Sequence, residues 1–296
     1  IARDAAVRGA VIRHTLNGAI ASLGPRLFVL ASAADRQVDA VVRLRKAVDA
    51  AYEQAAADVD TAASDGSLLR GEVLARWQDF VGTGEFMRAL EAKVGKVRDR
   101  MTAAVQGKPA PGQEVVQALE TGVQSLVRAA ADSAAERASA AWAADQAGAE
   151  LLREDLRRAS PDLAETSARS VREWQGYVLE LVRTQARGKR RTARYLALGV
   201  NGMGLLVMIL VFAHSGGLVG GELAVAGGAS ALSQKILEAV LGDQAVRSLA
   251  DQARNDLRRR VAELLDTERR RFLALLHDAD VDERAGEMLR AAAQDL

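Results

Sequence analysis

The stretch RLFVLASAADRQVDAVVRLRKAVDAAYEQAAADVDTAA, residues 26–63, decides the fold class. It is rich in Ala, Arg and Leu, which favour helices, and it contains neither Gly nor Pro. Its apolar residues recur at the helical period. They form one stripe: Val38, Val41, Val48, Tyr52, Ala55 and Val59. A second stripe lies near the other end of the chain: Val246, Leu249, Ala253, Leu257, Val261, Leu264, Phe272 and Leu275. We therefore expect an all-α protein.

The length of these periodic stretches predicts the architecture. A helix over residues 26–63 is about 55–60 Å long at ~1.5 Å per residue. Helices of that length pack at shallow angles, so we expect an elongated antiparallel helical bundle, or stalk, to which both ends of the chain belong. Gly24-Pro25 is expected to end a first helix, and Ser160-Pro161-Asp162 is expected to begin a later one.

One segment of the chain differs from all the others. Residues 195–213, YLALGVNGMGLLVMILVFA, are nineteen positions without a formal charge, and we call them the apolar segment. They follow the basic run, residues 187–194, in which five of eight residues are Arg or Lys. The segment is long enough to span a bilayer core. Its ten strongly apolar side chains favour insertion by a gross ~3–6 kcal/mol, which Asn201 and three glycines reduce.

A hydrophobic helical hairpin at one tip of the bundle is the topology that these residues favour. His214–Glu222 is typical of a turn, and the apolar stretch that follows, residues 223–233, is short for a span. Small residues four apart, such as Gly216 and Gly220, allow two arms to pack closely. We divide the chain into a first part of the stalk (1–194), the hairpin (195–241) and a C-terminal part of the stalk (242–296).

The hairpin hypothesis assigns two sets of lipid contacts. The residues expected to insert are Leu196, Leu198, Leu205, Leu206, Val207, Met208, Ile209, Leu210, Val211 and Phe212. The residues expected to meet lipid headgroups are Arg187, Lys189, Arg190, Arg191 and Arg194, because basic residues beside a span prefer the anionic cytoplasmic leaflet. The alternatives are a core helix that is buried inside a soluble bundle and, for the basic run, an ordinary solvated face.

No pattern of a catalytic, metal-binding or nucleic-acid-binding protein accompanies this segment. Net charge is +1, and there is no Cys. A phosphate-binding loop requires GxxxxGK[ST], which Gly188-Lys189-Arg190 does not complete. Asp145–Gly148 matches DxxG only by chance and is expected within a helix. The three histidines are far apart in sequence, and the large aromatic residues are interpreted as bundle packing: His14, His214 and His277; Trp77, Trp142, Trp174 and Tyr177.

Four stretches together resemble the helical portion of bacterial dynamin-like GTPases. They are LRGEVLARWQDFVGTGE (69–85), WQGYVLELV (174–182), VFAHSGG (211–217) and GDQAVR (242–247). In that family a GTPase domain drives a helical stalk whose hydrophobic paddle engages lipid. The resemblance implies that the apolar hairpin is the paddle and that the periodic helices are the stalk. It also implies membrane remodelling through self-assembly, or with a paralogous dynamin-like partner, at the cytoplasmic face of the cell membrane.

The nucleotide-binding residues of the family have no counterpart in this chain. GTP and Mg²⁺ are therefore implied only for a GTPase domain outside it, and no cofactor is expected here. Two other functions fit the same residues. An α-helical pore-forming toxin also carries an apolar hairpin in a helical bundle, and a coiled-coil structural or signalling scaffold also has periodic helices.

Overall fold

The structure is a computed structural model of the 296-residue chain, and it describes residues 2–64, 72–73, 75–76, 113–186, 204–208, 211, 238 and 241–296. Among these residues there are long helices and no strand, so the predicted all-α fold class is confirmed. The elements are α1 (Ala2–Ser64), α2 (Gln113–Ala144), α3 (Gln146–Leu151), a 3-10 turn (Glu154–Arg157), α4 (Leu163–Ala186), α5 (Asp243–Asp278) and α6 (Ala285–Gln294).

Helix α1 corrects the prediction that Gly24-Pro25 ends a helix. It begins at Ala2 and continues through Pro25 to Ser64. Proline inside a helix costs about 3 kcal/mol, because it cannot donate to the preceding turn and its ring crowds that turn. Pro25 and Ala21, whose carbonyl loses its donor, are both exposed, so water can bond that carbonyl.

The chain forms two compact units. Unit 1 consists of Ile1–Ala51, Ala135–Arg157 and Arg269–Leu296, and unit 2 consists of Tyr52–Ala134 and Arg158–Glu268. Both ends of the chain belong to unit 1. The predicted boundaries at residues 194 and 241 fall in a region of which only a few residues are described, and they stay a prediction.

Trp142 organises the core of unit 1. Its ring is fully buried and meets the ring of Phe272 edge-on, with centroids 5.3 Å apart. Its indole Nε1 donates to the carbonyl oxygen of Leu44, 3.1 Å away, so the polar end of this large side chain is satisfied. A Cβ at Gly148 would lie only 2.5 Å from the Trp142 carbonyl oxygen, so glycine is required at this close approach.

The break between α2 and α3 corrects a second expectation. Asp145, expected within a helix, instead caps the N-terminus of α3, where its Oδ1 accepts from the backbone N–H of Ala147 at 3.0 Å. Its Oδ2 accepts from Arg43 Nη2 at 2.9 Å. Hydrogen bonds from Arg43, more than any other interaction, lower the pKa of the Asp145 carboxyl. Its oxygens therefore have structural partners.

The core of unit 2 confirms most of the second predicted stripe. Val246, Leu249, Ala253, Leu257 and Val261 are buried, whereas Leu264 is half-buried and its neighbour Leu265 is buried. Trp174 is buried beside this stripe and donates from Nε1 to the carbonyl oxygen of Ala253 at 2.8 Å. The packing role predicted for Trp142 and Trp174 is therefore confirmed; Trp77 lies outside the described residues.

Two carboxylates fix the chain that leads into α4. Asp132 Oδ1 accepts from the N–H of Ala159 at 2.9 Å, and buried Glu268 accepts from the N–H of Ser160 at 2.9 Å and from its hydroxyl at 2.5 Å. Helix α4 itself begins at Leu163, just after the predicted Ser160–Asp162 start. Helix α5 follows Gly242, whose φ of 89° lies in the left-handed region that favours glycine.

Candidate functional site

The described part of the apolar segment is helical and buried inside unit 2. It comprises residues 204–208 and Val211. The exposed fractions are 3% for Leu205, 1% for Leu206, 0% for Val207, 2% for Met208 and 1% for Val211. Four consecutive buried residues cover most of the circumference of a helix, which turns about 100° per residue. The segment is thus enclosed by protein on nearly every side at this point.

Only part of the predicted site can be located. The structure brings together five of the residues that are expected to insert: Leu205, Leu206, Val207, Met208 and Val211. Leu196, Leu198, Ile209, Leu210 and Phe212 lie outside the described residues, as do all five of the expected headgroup residues: Arg187, Lys189, Arg190, Arg191 and Arg194. The lipid contacts assigned to these residues therefore stay a prediction.

Gly204 brings the apolar segment into close contact with α4. A Cβ built at Gly204 would overlap Leu179 Cδ2, and it would lie 3.3 Å from Leu179 Cγ and 4.0 Å from Leu179 Cα. A side chain larger than hydrogen at position 204 therefore requires Leu179 to move. Small residues at helix contacts allow backbones to approach in this way both in soluble cores and in membranes.

Arg254 of α5 holds the backbone of the apolar segment. Its Nη2 donates to the carbonyl oxygen of Val211 at 3.3 Å, and its Nη1 lies 3.8 Å from Asp251 Oδ1. The Arg254 side chain is only 16% exposed. A guanidinium that is largely buried against a carbonyl makes a charge-assisted contact, which positions the apolar segment against α5.

A second apolar surface lies on α1, and it is exposed. The large apolar side chains of residues 7–30 that face solvent are Val7, Val11, Ile12, Leu16, Leu23, Phe28, Val29 and Leu30. In the part of the chain that the structure describes, Val7–Ser64 is the one helix with a window apolar enough to cross a membrane, at a mean hydropathy of 1.2. Only 6% of that window is buried.

The composition of this part of α1 argues against a transmembrane span. Between Thr15 and Ala34 there are seven strongly apolar side chains, four of them Leu, and together they favour insertion by about 2–4 kcal/mol. Arg26 lies near the middle of the stretch and costs about 2.5–3.5 kcal/mol, which cancels the gain. The apolar segment 195–213 has no such charge.

No arrangement among the described residues resembles a catalytic or metal centre. No group of three or more His, Asp or Glu side chains in these ranges could hold a metal ion. A polar depression contains Arg76 between Glu114, at 2.9 Å, and Glu72, at 3.6 Å, and all three side chains are exposed. The pKa values of two further carboxyl groups are lowered. Hydrogen bonds from Arg290 lower the pKa of Asp35. Burial raises the pKa of Asp256, but hydrogen bonds from Arg260 and Arg259 outweigh burial and lower it overall.

Comparisons with known proteins leave the family open. No protein-family model, no curated protein and no solved structure matches this chain. The similarity to dynamin-like proteins therefore rests on the quoted stretches alone.

Proposed function

We propose that this chain is the helical, membrane-binding part of a membrane-remodelling protein. In this proposal unit 2 holds the apolar segment, releases it into a bilayer, and the basic run meets anionic headgroups on the cytoplasmic face. The observation that carries the proposal is the run of nineteen uncharged residues directly after five basic residues in eight. The resemblance to the stalk and paddle of bacterial dynamin-like proteins gives the proposal its cellular role, and the parent protein would then be a GTPase.

The burial of residues 205–208 is compatible with such a release. Lipid tails are as apolar as a Leu side chain, so moving these residues from the core of unit 2 to acyl chains changes their environment little. The transfer loses the close contact between Gly204 and Leu179 and the bond from Arg254 to the Val211 carbonyl. It gains the attraction of the basic run to anionic lipid, worth about 1 kcal/mol per basic residue near the surface.

Flotation of the chain with vesicles tests the role of the basic run. We expect the protein to float with vesicles containing phosphatidylglycerol and to float less with pure phosphatidylcholine vesicles. Arg190→Glu with Arg191→Glu should reduce flotation on anionic vesicles severalfold. Arg45→Glu with Lys46→Glu makes the same charge change at two exposed positions of α1 and should leave flotation unchanged.

Two outcomes of the flotation experiment would contradict this proposal, one for the membrane function and one for the basic run. A wild-type chain that stays unbound to both kinds of vesicle excludes the membrane function and favours a structural scaffold. If the two double variants float equally well, the basic run does not contribute to membrane binding.

A pore-forming toxin is the second candidate, and the sheltered position of residues 205–208 favours it as well. Such a toxin holds its apolar helices inside the soluble fold and inserts them into a target membrane. Release of a dye from sealed vesicles, measured without nucleotide, distinguishes the two functions. Spontaneous release indicates a toxin, whereas binding without release indicates the remodelling role.

A further inference from the structure

A seam of apolar side chains runs along the exposed N-terminal part of α1. Its members are separated alternately by four and three residues, and we call them the α1 seam: Leu16, Ile20, Leu23, Leu27, Leu30 and Ala34. Leu16, Leu23 and Leu30 are 55%, 44% and 54% exposed, and the other three members are half-buried. The alternation of four and three is the heptad spacing of a helix that pairs with another helix.

The same register continues into the part of α1 that is already covered. Steps of three and four from Ala34 pass Gln37 and Val41 and reach Leu44, Val48 and Ala51. These last three residues are 2%, 0% and 6% exposed within unit 1, where the Leu44 carbonyl also accepts the bond from Trp142. One face of α1 is thus covered by helices over residues 44–51, whereas its leucines at positions 16, 23 and 30 are exposed, and Gln37 is the one polar residue of the register between them.

The positions beside the α1 seam suit a helical partner at close range. In heptad terms the three exposed leucines occupy the d positions and Ile20 and Leu27 occupy a positions. Leu at d with a β-branched residue at a, as at Ile20, favours two strands. Of the flanking positions near the middle of the seam, two hold Ala19 and Gly24, which are too small to block a second backbone, and one holds Arg26. Pro25 takes the outermost position of its heptad, so its ring points away from the seam.

Charge also favours a protein partner over lipid. Arg26, the one formal charge between His14 and Asp35, flanks the seam. A bilayer would have to bury it, whereas a paired helix covers only the seam side and leaves the guanidinium in water. Because this region carries almost no charge, two copies of it can approach with little repulsion.

We infer that the α1 seam is a self-association surface, through which two copies of this chain pair helix to helix. A two-fold interface uses the same patch on both partners, and a heptad seam of Leu and Ile is complementary to itself. The inference rests on α1 alone and does not depend on the function proposed for the apolar segment.

Sedimentation velocity of the full chain without lipid tests the inference with a matched pair of variants. Leu23→Asp with Leu30→Asp places charges in the seam. Phe28→Asp with Val29→Asp places the same charges on neighbouring residues outside it, which are 46% and 66% exposed. All four side chains are accessible, so both variants should keep the helix content of wild type by circular dichroism.

We expect the wild-type chain to dimerise, the seam variant to dimerise at least about 100-fold more weakly, and the control variant to dimerise as wild type does. A wild-type chain that is monomeric at 100 μM overturns the inference. So does equal loss of dimer in both variants, because it would indicate unspecific apolar contact, and so does a seam variant that dimerises normally.

Discussion

The described part of the apolar segment in unit 2 and the α1 seam both contain leucines and are helical, yet they have opposite environments. Leu206 is 1% exposed, whereas Leu23 and Leu30 are 44% and 54% exposed. Both regions contain four consecutive apolar residues, at 205–208 in the apolar segment and at 27–30 in α1, where only Leu27 and Leu30 belong to the seam. A helix that is apolar on all sides must be enclosed by protein or lipid, whereas a helix with one apolar stripe needs one partner. The burial of the apolar side chains, and not their spacing, therefore distinguishes the two regions.

Mean hydropathy alone does not separate these regions. Within the described residues, the exposed part of α1 meets the composition expected of a membrane span although a central Arg cancels its insertion energy. The apolar segment lacks any charge and nevertheless lies, where it is described, within protein. Its lipid contacts and the pairing of the seam are the two proposals that the following experiments address.

The largest expected difference concerns truncation of one leucine in each region. Leu206→Ala should lower the free energy of unfolding by about 2–5 kcal/mol, because it leaves a cavity in the core of unit 2. Leu23→Ala should change it by no more than about 0.5 kcal/mol, because that side chain is substantially exposed in the monomer. Urea unfolding at a protein concentration below dimerisation measures both. Similar losses for the two variants would contradict the assigned burial.

Glycine substitutions sharpen the same contrast with an effect of intermediate size. Gly204→Ala should destabilise the protein by a net of up to about 2 kcal/mol, because displacing the Leu179 side chain costs about 1–3 kcal/mol and the gain in helix propensity offsets up to about 1 kcal/mol of it. Gly18→Ala should stabilise it by up to about 1 kcal/mol, since nothing lies within 4 Å of a Cβ there and alanine favours the helix. Thermal unfolding of the two variants gives shifts of opposite sign. A gain in stability from Gly204→Ala would show that the segment does not pack on α4.

The smallest expected effect is a loss of stability at low pH, which concerns Asp256 of α5 and not the α1 seam. Burial raises the pKa of Asp256, but hydrogen bonds from Arg260 and Arg259 lower it overall, to below the model-compound value of 3.8. A depressed pKa contributes stability above pH 3.8, and that contribution is lost as the pH falls through the lower value of the folded state. The urea midpoint should therefore fall from pH 5 to pH 3, and Asp256→Asn should reduce that fall. An identical fall in wild type and variant would exclude Asp256 as a contributor.

Much of the fold could be predicted from the chain because helical periodicity extends over many residues. The stripe that ends at Val59 and the stripe that begins at Val246 both identify buried faces. Single residues that commonly mark helix ends were less informative about where the helices begin and end. Pro25 marks no helix end, since water can bond the carbonyl that it leaves without a donor. Asp145 is a helix cap, and its second carboxylate oxygen accepts from Arg43, which is distant in sequence.

The candidate site was less predictable, for two physical reasons. A run such as LLVM at 205–208 is equally suited to a protein core and to lipid, because both environments are apolar. The spacing of the α1 seam by four and three is a usable signal, but Gly24-Pro25 lies within the seam and predicts a helix boundary there, which hides it. Only the exposure of its leucines distinguishes a seam that no other helix covers from one that is already covered.

A reversible covalent lock tests most directly whether the apolar segment must leave unit 2 to bind a membrane. The chain has no Cys, so Gly204→Cys with Leu179→Cys introduces the only two thiols. A Cβ at position 204 lies 4.0 Å from Leu179 Cα, so the two Cα atoms are close enough for a disulfide, and shortening Leu179 removes the overlap. The oxidised variant should float with anionic vesicles at least about tenfold less than wild type, and reduction should restore flotation, because the binding free energy of the segment becomes available again. Flotation of the fully oxidised variant at the wild-type level would contradict the account.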